Sequence, residues 1–286
     1  MKKILVTGNN GFLASRFIEF YKEKYDIISF NRNELDISDE SKVYRVFKDN
    51  KYDIVVHLAA ISDTGKCENY PELANKVNLQ GTVNIAKGCE LNGATLVFAS
   101  SDQIYSGNEE EGPYKENIII KTNNVYGKSK LDAENEIKTI LDKYYNLRLT
   151  WLFSMPERNK KVNTNIITNI LNATLRNSPI NLAVNELRGI TYAYEAIENF
   201  EKLINAPFGD YNYGSENNLS TYEIGKIVLE SMGLHNRVND IIIKDINRFK
   251  DKKRDLRISN DKLKDININF SSTEDSIKKC LKEFKF

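Results

Sequence analysis

The chain has 286 residues, of which 41% are hydrophobic and 28% charged, and its 41 basic and 40 acidic side chains nearly cancel. These values are typical of an ordinary soluble globular protein. The neutral charge balance argues against nucleic acid or an anionic membrane as the main partner. No apolar run approaches the roughly 18 residues of a membrane span, residues 1–6 are too short for a signal peptide, and three widely spaced cysteines match neither a disulfide framework nor a zinc site. We therefore expect a cytoplasmic protein without a metal.

A strand, a glycine turn and a helix are predicted at the start of the chain. Residues 3–7 form an apolar run, and a turn containing Gly8 and Gly11 joins it to a helical pattern. Gly8 permits the tight turn, and Gly11 lets the first helical amides, at Phe12 and Leu13, approach a diphosphate. The pattern predicts a dinucleotide site, and a tight turn without a ligand is the alternative.

The second predicted strand, residues 26–30, ends at Asn31 and Arg32. A carboxylate near this strand end holds the ribose 2′-hydroxyl in NAD-selective sites, whereas an arginine suits a 2′-phosphate. No acid directly follows the strand, so we predict NADP as cofactor, with NADPH preferred and NADH left open; the alternative is a solvated Arg32. Asp36 and Ile37 are expected to edge the adenine pocket, although Asp36 equally suits a cap or a turn.

The third predicted strand, residues 54–60, ends in three small or apolar residues, Leu58, Ala59 and Ala60. A nicotinamide ribose can lie close to the backbone there. His57 lies inside the apolar run, and we interpret it as a core histidine rather than a catalytic one.

The fourth predicted strand, residues 95–99, is followed by Ser100, Ser101, Asp102 and Gln103. Ligands of open α/β sheets bind outside the carboxyl ends of the strands. These polar side chains therefore follow the strand at the edge where chemistry is expected.

Tyr126 and Lys130 lie four residues apart at the start of a predicted helix, and so share one helical face. A lysine charge about 5 Å from the phenol, at an effective dielectric of about 20, favours the phenolate by roughly 3 kcal/mol. That is about two pKa units, which brings a tyrosine into the useful range for acid–base catalysis. By itself the spacing is common, and a helix-start tyrosine with a solvated lysine is the alternative.

The remaining chain predicts further strands and helices, and a fold class follows from their order. The predicted elements are a helix from Pro71 that contains the polar Asn78, a strand at 147–153, a helix at 166–175, a strand at 189–194, a helix at 195–203, a strand at 211–213 and a helix from Ser220 to Met232. Residues 250–257 form a charge run, for which a solvated loop is the simplest interpretation. The alternation over the first 150 or so residues predicts an α/β fold with a Rossmann-like, doubly wound parallel sheet. We expect an NAD(P)-binding domain at residues 1–153, with segments near 185–214 packing back onto it. A smaller substrate-binding lobe is expected at residues 154–286.

Taken together, the motifs resemble the extended short-chain dehydrogenase/reductases, and among these the dTDP-4-dehydrorhamnose reductase (sugar-nucleotide 4-reductase) family. The likeness runs almost from end to end through Leu35-Asp36-Ile37-Ser38-Asp39, Leu58-Ala59-Ala60, Val77-Asn78, Ser100-Ser101-Asp102, Pro113-Tyr114-x-Glu116, Tyr126-Gly127-Lys128-Ser129-Lys130, Arg148-x-x-Trp151, Gly189-Ile190-Thr191-Tyr192 and Tyr211-Asn212-Tyr213-Gly214. The resemblance implies Ser101, Tyr126 and Lys130 as the catalytic residues. It also implies a substrate site with Trp151 near the nucleotide-sugar, and we expect Ser62, Asp102, Gln103 and Arg188 to contribute.

Several residues depart from the family pattern around the expected sugar pocket. Ser101 stands where a threonine is usual, Gln103 where an aromatic residue is usual, and Arg188 where a small residue is expected. The hydride chemistry therefore follows from the resemblance more directly than the identity of the sugar does.

The expected activity is reduction of the C4 keto group of a nucleotide-activated deoxysugar, for polysaccharide precursor synthesis. Related 4,6-dehydratases need an Asp–Glu pair after the hydroxyl residue, and the amide of Gln103 cannot perform that acid–base work. An epimerase that retains its NAD and a non-catalytic, NADP-binding regulatory subunit remain alternatives. The expected partner is a nucleotide-sugar, and a homodimer is left open.

Overall fold

The computed structural model describes residues 1–285 and divides the chain into two compact units. The first unit comprises Met1–Asn108, Ile119–Arg148 and Ala206–Tyr211. The second comprises Glu109–Ile118, Leu149–Asn205 and the chain from Asn212 onward. The assignment of cofactor binding to one part of the chain and substrate binding to another stays a prediction.

Strands and helices alternate along the first 150 or so residues. The strands are β1 (Lys3–Thr7), β2 (Asp26–Phe30), β3 (Ile54–His57), β4 (Thr95–Ser101), β5 (Tyr144–Leu149), β6 (Trp151–Phe153), β7 (Ile180–Ala183), β8 (Glu186–Arg188), β9 (Ile190–Tyr192), β10 (Gly209–Tyr213), β11 (Ile242–Asp245) and β12 (Arg254–Leu256). The helices are α1 (Phe12–Tyr21), α2 (Glu40–Asp49), α3 (Thr64–Asn69), α4 (Pro71–Ala74), α5 (Gly81–Asn92), α6 (Val125–Ile140), α7 (Ile166–Leu175), α8 (Ala193–Glu198), α9 (Phe200–Leu203), α10 (Thr221–Ser231), α11 (Val238–Ile241), α12 (Asp261–Lys264) and α13 (Thr273–Glu283). A π-helical segment, Asn75–Gln80, joins α4 to α5, and 3-10 turns lie at Asp102–Tyr105 and His235–Arg237.

The first unit is built on a six-stranded sheet in the order β10-β5-β4-β3-β1-β2. β1 pairs in parallel with β2 and β3, and β3 pairs in parallel with β4. Strands β1 and β3 are apolar and almost fully buried, as expected for parallel strands covered on both faces. The predicted α/β class with a doubly wound parallel sheet is confirmed, and the carboxyl ends of β1, β3 and β4 meet at one edge of the sheet.

The second unit contains three parallel strand pairs, β7 with β11, β8 with β12, and β6 with β9. Its core gathers apolar side chains of α7, α10 and α13 with those of the strands. A capping box formed by Ser220 and Glu223 begins α10, at the residue where the helix was predicted to start. The solvated-loop interpretation of the charge run at 250–257 does not hold for Arg254–Leu256, which form β12, and Arg254 pairs there with Glu186 at 3.0 Å.

Two predicted strands have different ends in the structure. The strand predicted at 147–153 is two strands, β5 and β6, which belong to different sheets and are separated at Thr150. The strand predicted at 54–60 ends at His57, because the amides of Leu58 and Ala59 bond to the hydroxyl of Thr7 instead of to a neighbouring strand.

Within residues 1–285, no helix is long and apolar enough to cross a membrane. The three cysteines are buried and form no disulfide among these residues, which also hold no cluster of three or more potential metal ligands.

Candidate active site

The glycine turn after β1 is shaped by close backbone contacts. Gly8 has a φ of +73°, and a Cβ at this position would lie 3.0 Å from the Cα of Ala59. The amides of Gly8 and Asn9 donate to the carbonyl of Phe30, at 2.8 and 3.1 Å. Because Gly11 caps α1 without a side chain, the first helical amides have no side-chain acceptor from their own cap. The turn therefore offers the backbone donors that a diphosphate requires.

Asn9 adds a polar group that sequence reasoning missed. Its Nδ2 donates to Ser29 Oγ at 3.2 Å, whereas its Oδ1 is buried and has no hydrogen-bond partner among residues 1–285. An unpaired buried amide oxygen is costly, and a hydroxyl of a bound nucleotide would satisfy it. The position of Asn9 within the glycine turn is the sequence signal that could have identified it.

The end of β2 holds both an arginine and a carboxylate. Arg32 is exposed, and the backbone amide of Asn31 donates to Glu34 Oε2 at 2.7 Å. No acidic residue directly follows β2 in sequence, but the chain turns so that the carboxylate of Glu34 lies at the end of this strand. Asp36 accepts from the hydroxyl and the amide of Ser38, and these bonds, with the nearby Arg32, lower its pKa. Asp36 therefore takes part in a turn, which was the alternative weighed for it.

His57 is a satisfied core residue, as interpreted from sequence. Thr7 Oγ1 accepts from the amides of Leu58 and Ala59, both at 3.2 Å, so its own proton goes to His57 Nδ1 at 2.7 Å. His57 Nε2 lies 3.1 Å from Thr82 Oγ1 and donates to it. Burial lowers the pKa of His57 to about 3, so the ring is neutral and fixes the backbone that follows β3.

The start of α6 is fixed at its cap and against the segment after β4. Asn124 Oδ1 accepts from the amide of Gly127 at 2.7 Å, and Glu68 accepts from the amide of Val125 at 2.8 Å. A Cβ on Gly127 would overlap the carbonyl of Gln103. Only glycine therefore lets the first turn of α6 approach Gln103 so closely.

Tyr126 and Lys130 lie on this helix and both are buried, with exposures of 8% and 2%. Lys130 Nζ donates to the carbonyl of Ala99 at 2.7 Å and lies 5.9 Å from the centre of the Tyr126 ring. Burial lowers the pKa of Lys130 to about 7, although Cys67 and Glu134 act in the opposite direction. The alternative of a solvated lysine is wrong, and the charge on Lys130 titrates near neutral pH.

Ser101 ends β4 next to this pair. Its hydroxyl accepts from the amide of Gln103 at 3.2 Å and donates to Asp102 Oδ1 at 3.3 Å. Asp102 and Gln103 are almost inaccessible, at 0% and 4%, whereas Ser62 is exposed. Helix α6 contacts the chain on both sides of Ser101, since Lys130 bonds to Ala99 and Gly127 approaches Gln103.

Asn78 links two parts of the site that sequence reasoning left unconnected. Its side chain exchanges two hydrogen bonds with the backbone of Ile61, at 2.8 and 3.0 Å, and also donates to Ser129 Oγ at 3.2 Å. Ser129 in turn donates to the carbonyl of Tyr126. Asn78 lies in the π-helical segment, a distortion that often marks functional sites. Its signal in the sequence was a polar residue inside a helical pattern.

The other predicted substrate residues lie in the second unit. Trp151 begins β6 and Arg188 ends β8, and the guanidinium carbon lies 5.3 Å from the centre of the indole ring. This distance suits a cation–π contact. The carbonyl of Arg188 is held by Asn217 Nδ2 at 2.8 Å. The structure thus brings Trp151 and Arg188 together within one unit, and Ser101, Tyr126 and Lys130 together within the other.

Comparison with known proteins gives one family over the whole chain. The sequence model of the RmlD substrate binding domain family matches residues 1–286. A dTDP-4-dehydrorhamnose reductase of Aggregatibacter actinomycetemcomitans is 24% identical, over 83% of this chain and 85% of the relative. The crystal structure of a dTDP-4-dehydrorhamnose reductase from Bacillus anthracis in complex with NADP is 25% identical, with a TM-score of 0.87 over 99% of this chain and 98% of that one. Subunit beta of methionine adenosyltransferase 2 from Bos taurus is 29% identical over a shorter match, 48% of this chain and 42% of the relative.

Proposed function

The chain belongs to the RmlD substrate binding domain family, and on that premise we propose that it uses NADPH to reduce the C4 keto group of a nucleotide-activated deoxysugar. The observation that carries the proposal is the buried Lys130, one helical turn after Tyr126 and bonded to the backbone beside Ser101. A 4-dehydro sugar on dTDP is the substrate that the relatives' activity suggests. The product would serve the synthesis of a polysaccharide or another glycan.

The proposed roles follow from the chemistry of three side chains. Ser101 and Tyr126 donate hydrogen bonds to the carbonyl oxygen of the sugar, where negative charge develops during reduction. Tyr126 gives its proton to that oxygen, and the positive charge of Lys130 favours the resulting phenolate. NADPH, when bound, supplies the hydride.

The first unit fits such a cofactor. The Gly8 turn is too close to Ala59 for any side chain, and the orphaned Oδ1 of Asn9 suits a nucleotide hydroxyl. The residues that would hold NADPH are Gly8, Gly11, Phe12 and Leu13 at the diphosphate, Asn31 and Arg32 at the 2′-phosphate, Asp36 and Ile37 at the adenine, and Leu58, Ala59, Ala60, Tyr126 and Lys130 at the nicotinamide ribose.

Trp151 and Arg188, which lie together in the second unit, are proposed contacts of the nucleotide-sugar. Trp151 offers an aromatic face, and the guanidinium of Arg188 suits an anionic group such as a diphosphate. Ser62, Asp102 and Gln103 are the further proposed contacts, although the burial of Asp102 and Gln103 favours roles in holding Ser101.

One specific observation favours a second candidate function. The partial match to subunit beta of methionine adenosyltransferase 2 is compatible with a regulatory subunit that binds NADP without turnover. A subunit that only binds NADP would also use the buried Lys130 at the nicotinamide ribose, so turnover of substrate separates the two candidates.

Oxidation of NADPH with a panel of keto-sugar nucleotides tests the proposal. We expect consumption of NADPH with dTDP-4-dehydrorhamnose, or with another 4-keto sugar nucleotide, and formation of the corresponding 4-hydroxy sugar. An epimerase would interconvert sugar nucleotides without net consumption of NADPH. Binding of NADPH without turnover of any substrate, at high protein concentration, would contradict the proposal and favour a regulatory subunit.

A further inference from the structure

A buried ion pair lies behind the catalytic side chains of the first unit. Glu134 and Arg148 are 0% and 1% exposed, and the guanidinium holds the carboxylate through Nε, at 3.2 Å from both oxygens, and Nη2, at 2.9 Å. Nη2 also bonds Asp210 at 3.0 Å, which in turn pairs with Lys138. Although burial opposes the charge on Arg148, the carboxylates of Glu134 and Asp210 raise its pKa, so the guanidinium stays charged.

Each partner of this pair bonds to one side of the segment that carries Ser101. Ser100 Oγ donates to Glu134 Oε1 at 2.5 Å, immediately before Ser101. Arg148 Nη1 donates to the hydroxyl of Tyr105 at 2.9 Å, at the end of the turn that follows Ser101. The ion pair is therefore hydrogen-bonded to the chain both before and after Ser101.

Glu134 also lies on the helix that carries the other catalytic residues. Tyr126, Lys130 and Glu134 follow one another at intervals of four on α6, so they share one face. Lys130 bonds to the carbonyl of Ala99, and Glu134 accepts from the next residue, Ser100. Two successive residues of β4 are thus tied to two successive turns of α6.

Stability alone gives no reason for such a pair. A buried ion pair often contributes no more than apolar side chains of the same volume, since desolvation offsets the attraction. Its geometry, in contrast, fixes directions and distances that apolar contacts leave freer.

We propose that Glu134 and Arg148 are positioning residues, which hold the Ser101 segment in register with the helix that carries Tyr126 and Lys130. The proposal rests on the proposed function, because its effect on kcat presumes the reduction of a keto sugar. Neither residue is proposed to touch the substrate. Both act through Ser100 and Tyr105.

The test removes one link and leaves the ion pair intact. Ser100→Ala deletes the bond to Glu134, and Ser276→Ala is a matched control, because Ser276 is also fully buried and donates to a buried carboxylate, Glu195, at 2.8 Å in the second unit. We expect Ser100→Ala to lower kcat by about 10- to 100-fold, the scale of a misplaced reacting group. The Kd for NADPH should change less than about 2-fold, and Ser100→Thr, which keeps the hydroxyl, should recover part of the loss. Equal kcat values for Ser100→Ala and the wild type, or an equal fall in Ser276→Ala, would overturn the proposal.

Tyr105→Phe tests the hydrogen bond from Arg148 to Tyr105, and it replaces Ser100→Ala as the test if that variant does not fold. Its matched control is Tyr213→Phe, since Tyr213 is equally buried and its hydroxyl bonds the carbonyl of Ala196 at 2.9 Å in the second unit. We expect the same loss of kcat without loss of NADPH binding in Tyr105→Phe, and a kcat close to the wild-type value in the control.

Hydrogen exchange separates this proposal from the proposed function. Ser100→Ala should accelerate exchange of the amides at 101–105 and in the first two turns of α6, and Ser276→Ala should not. If the wild type turned over no keto sugar, the proposed function would fail, while the exchange measurement would still decide the positioning role. Unchanged exchange at 101–105 in both first-unit variants would contradict it.

Discussion

The ammonium group of Lys130 lies where a charge is costly. Its side chain is 2% exposed, and burial lowers its pKa to about 7. The sequence predicted a lysine charge beside Tyr126, but it contained no information on how deeply that lysine is buried. A lysine that titrates near neutral pH can respond to the charges of a bound cofactor, which a solvated lysine cannot do to the same degree.

Replacing Lys130 with methionine should change how stability depends on pH. In the folded chain Lys130 loses its proton near pH 7, whereas the unfolded chain keeps it up to about pH 10.4. Between these values the unfolded state binds more protons, so the stability of the wild type relative to Lys130→Met rises with pH, by up to about 1.4 kcal/mol per unit. This relative stability is lost progressively as pH falls from about 10.4 to about 7, and it is constant below about 7. Urea unfolding of both proteins from pH 6 to pH 9 measures this; a difference independent of pH would show that Lys130 keeps its ordinary pKa in the fold.

Replacing Arg32 or Glu34 should affect the binding of NADPH and NADH in opposite ways. Arg32→Ala should weaken NADPH by about 1–3 kcal/mol, the scale for losing a charged hydrogen-bond partner, and leave NADH nearly unchanged. Glu34→Ala should leave NADPH binding intact, and it weakens NADH only if the carboxylate at Asn31 reaches the ribose. Fluorescence titration of both reduced cofactors gives these values. Equal losses for NADPH and NADH in Arg32→Ala would remove the argument for a 2′-phosphate site.

At the scale of elements, the sequence predicted correctly those helices, strands and turns that depend on interactions between residues close together in the chain. The strand, turn and helix at the start of the chain, and the capping box of α10, depend on neighbours within a few residues. The short strands β7, β8, β11 and β12 have no alternating pattern to identify them. They form because distant segments pair, as Arg254 does with Glu186.

Two glycines in helices should respond oppositely to alanine. Gly127→Ala should destabilise the fold by about 1–3 kcal/mol, because its methyl group would overlap the carbonyl of Gln103. Gly65→Ala, in α3, meets nothing closer than 3.4 Å and should stabilise by up to about 1 kcal/mol through helix propensity. Chemical denaturation measures both. A stabilising Gly127→Ala would mean that the first turn of α6 does not need its close approach to Gln103.

At the scale of the whole molecule, the order of the motifs predicted the family and the fold, while the connections within the site required the structure. Asn78 joins residues 61 and 129, and Glu134 joins residues 100 and 148, and neither spacing has a sequence signature. Such bonds depend on tertiary packing, which pattern and propensity do not contain. The same holds for Glu34, which returns to the end of β2 only because the chain turns there.

Single-turnover kinetics of Tyr126→Phe, with NADPH and an active keto-sugar nucleotide, test the central claim most directly. The phenylalanine keeps the ring and its packing but removes the proposed proton donor and one of the two hydrogen bonds proposed for the developing alkoxide. General acid catalysis is worth about 10²–10⁴-fold and one oxyanion donor about 10²–10³-fold, and a single hydroxyl supplies both. We therefore expect the rate of reduction to fall by at least about 10³-fold, with NADPH affinity unchanged. A variant that kept more than about a tenth of the wild-type rate, with chemistry rate-limiting, would show that Tyr126 is not the proton donor.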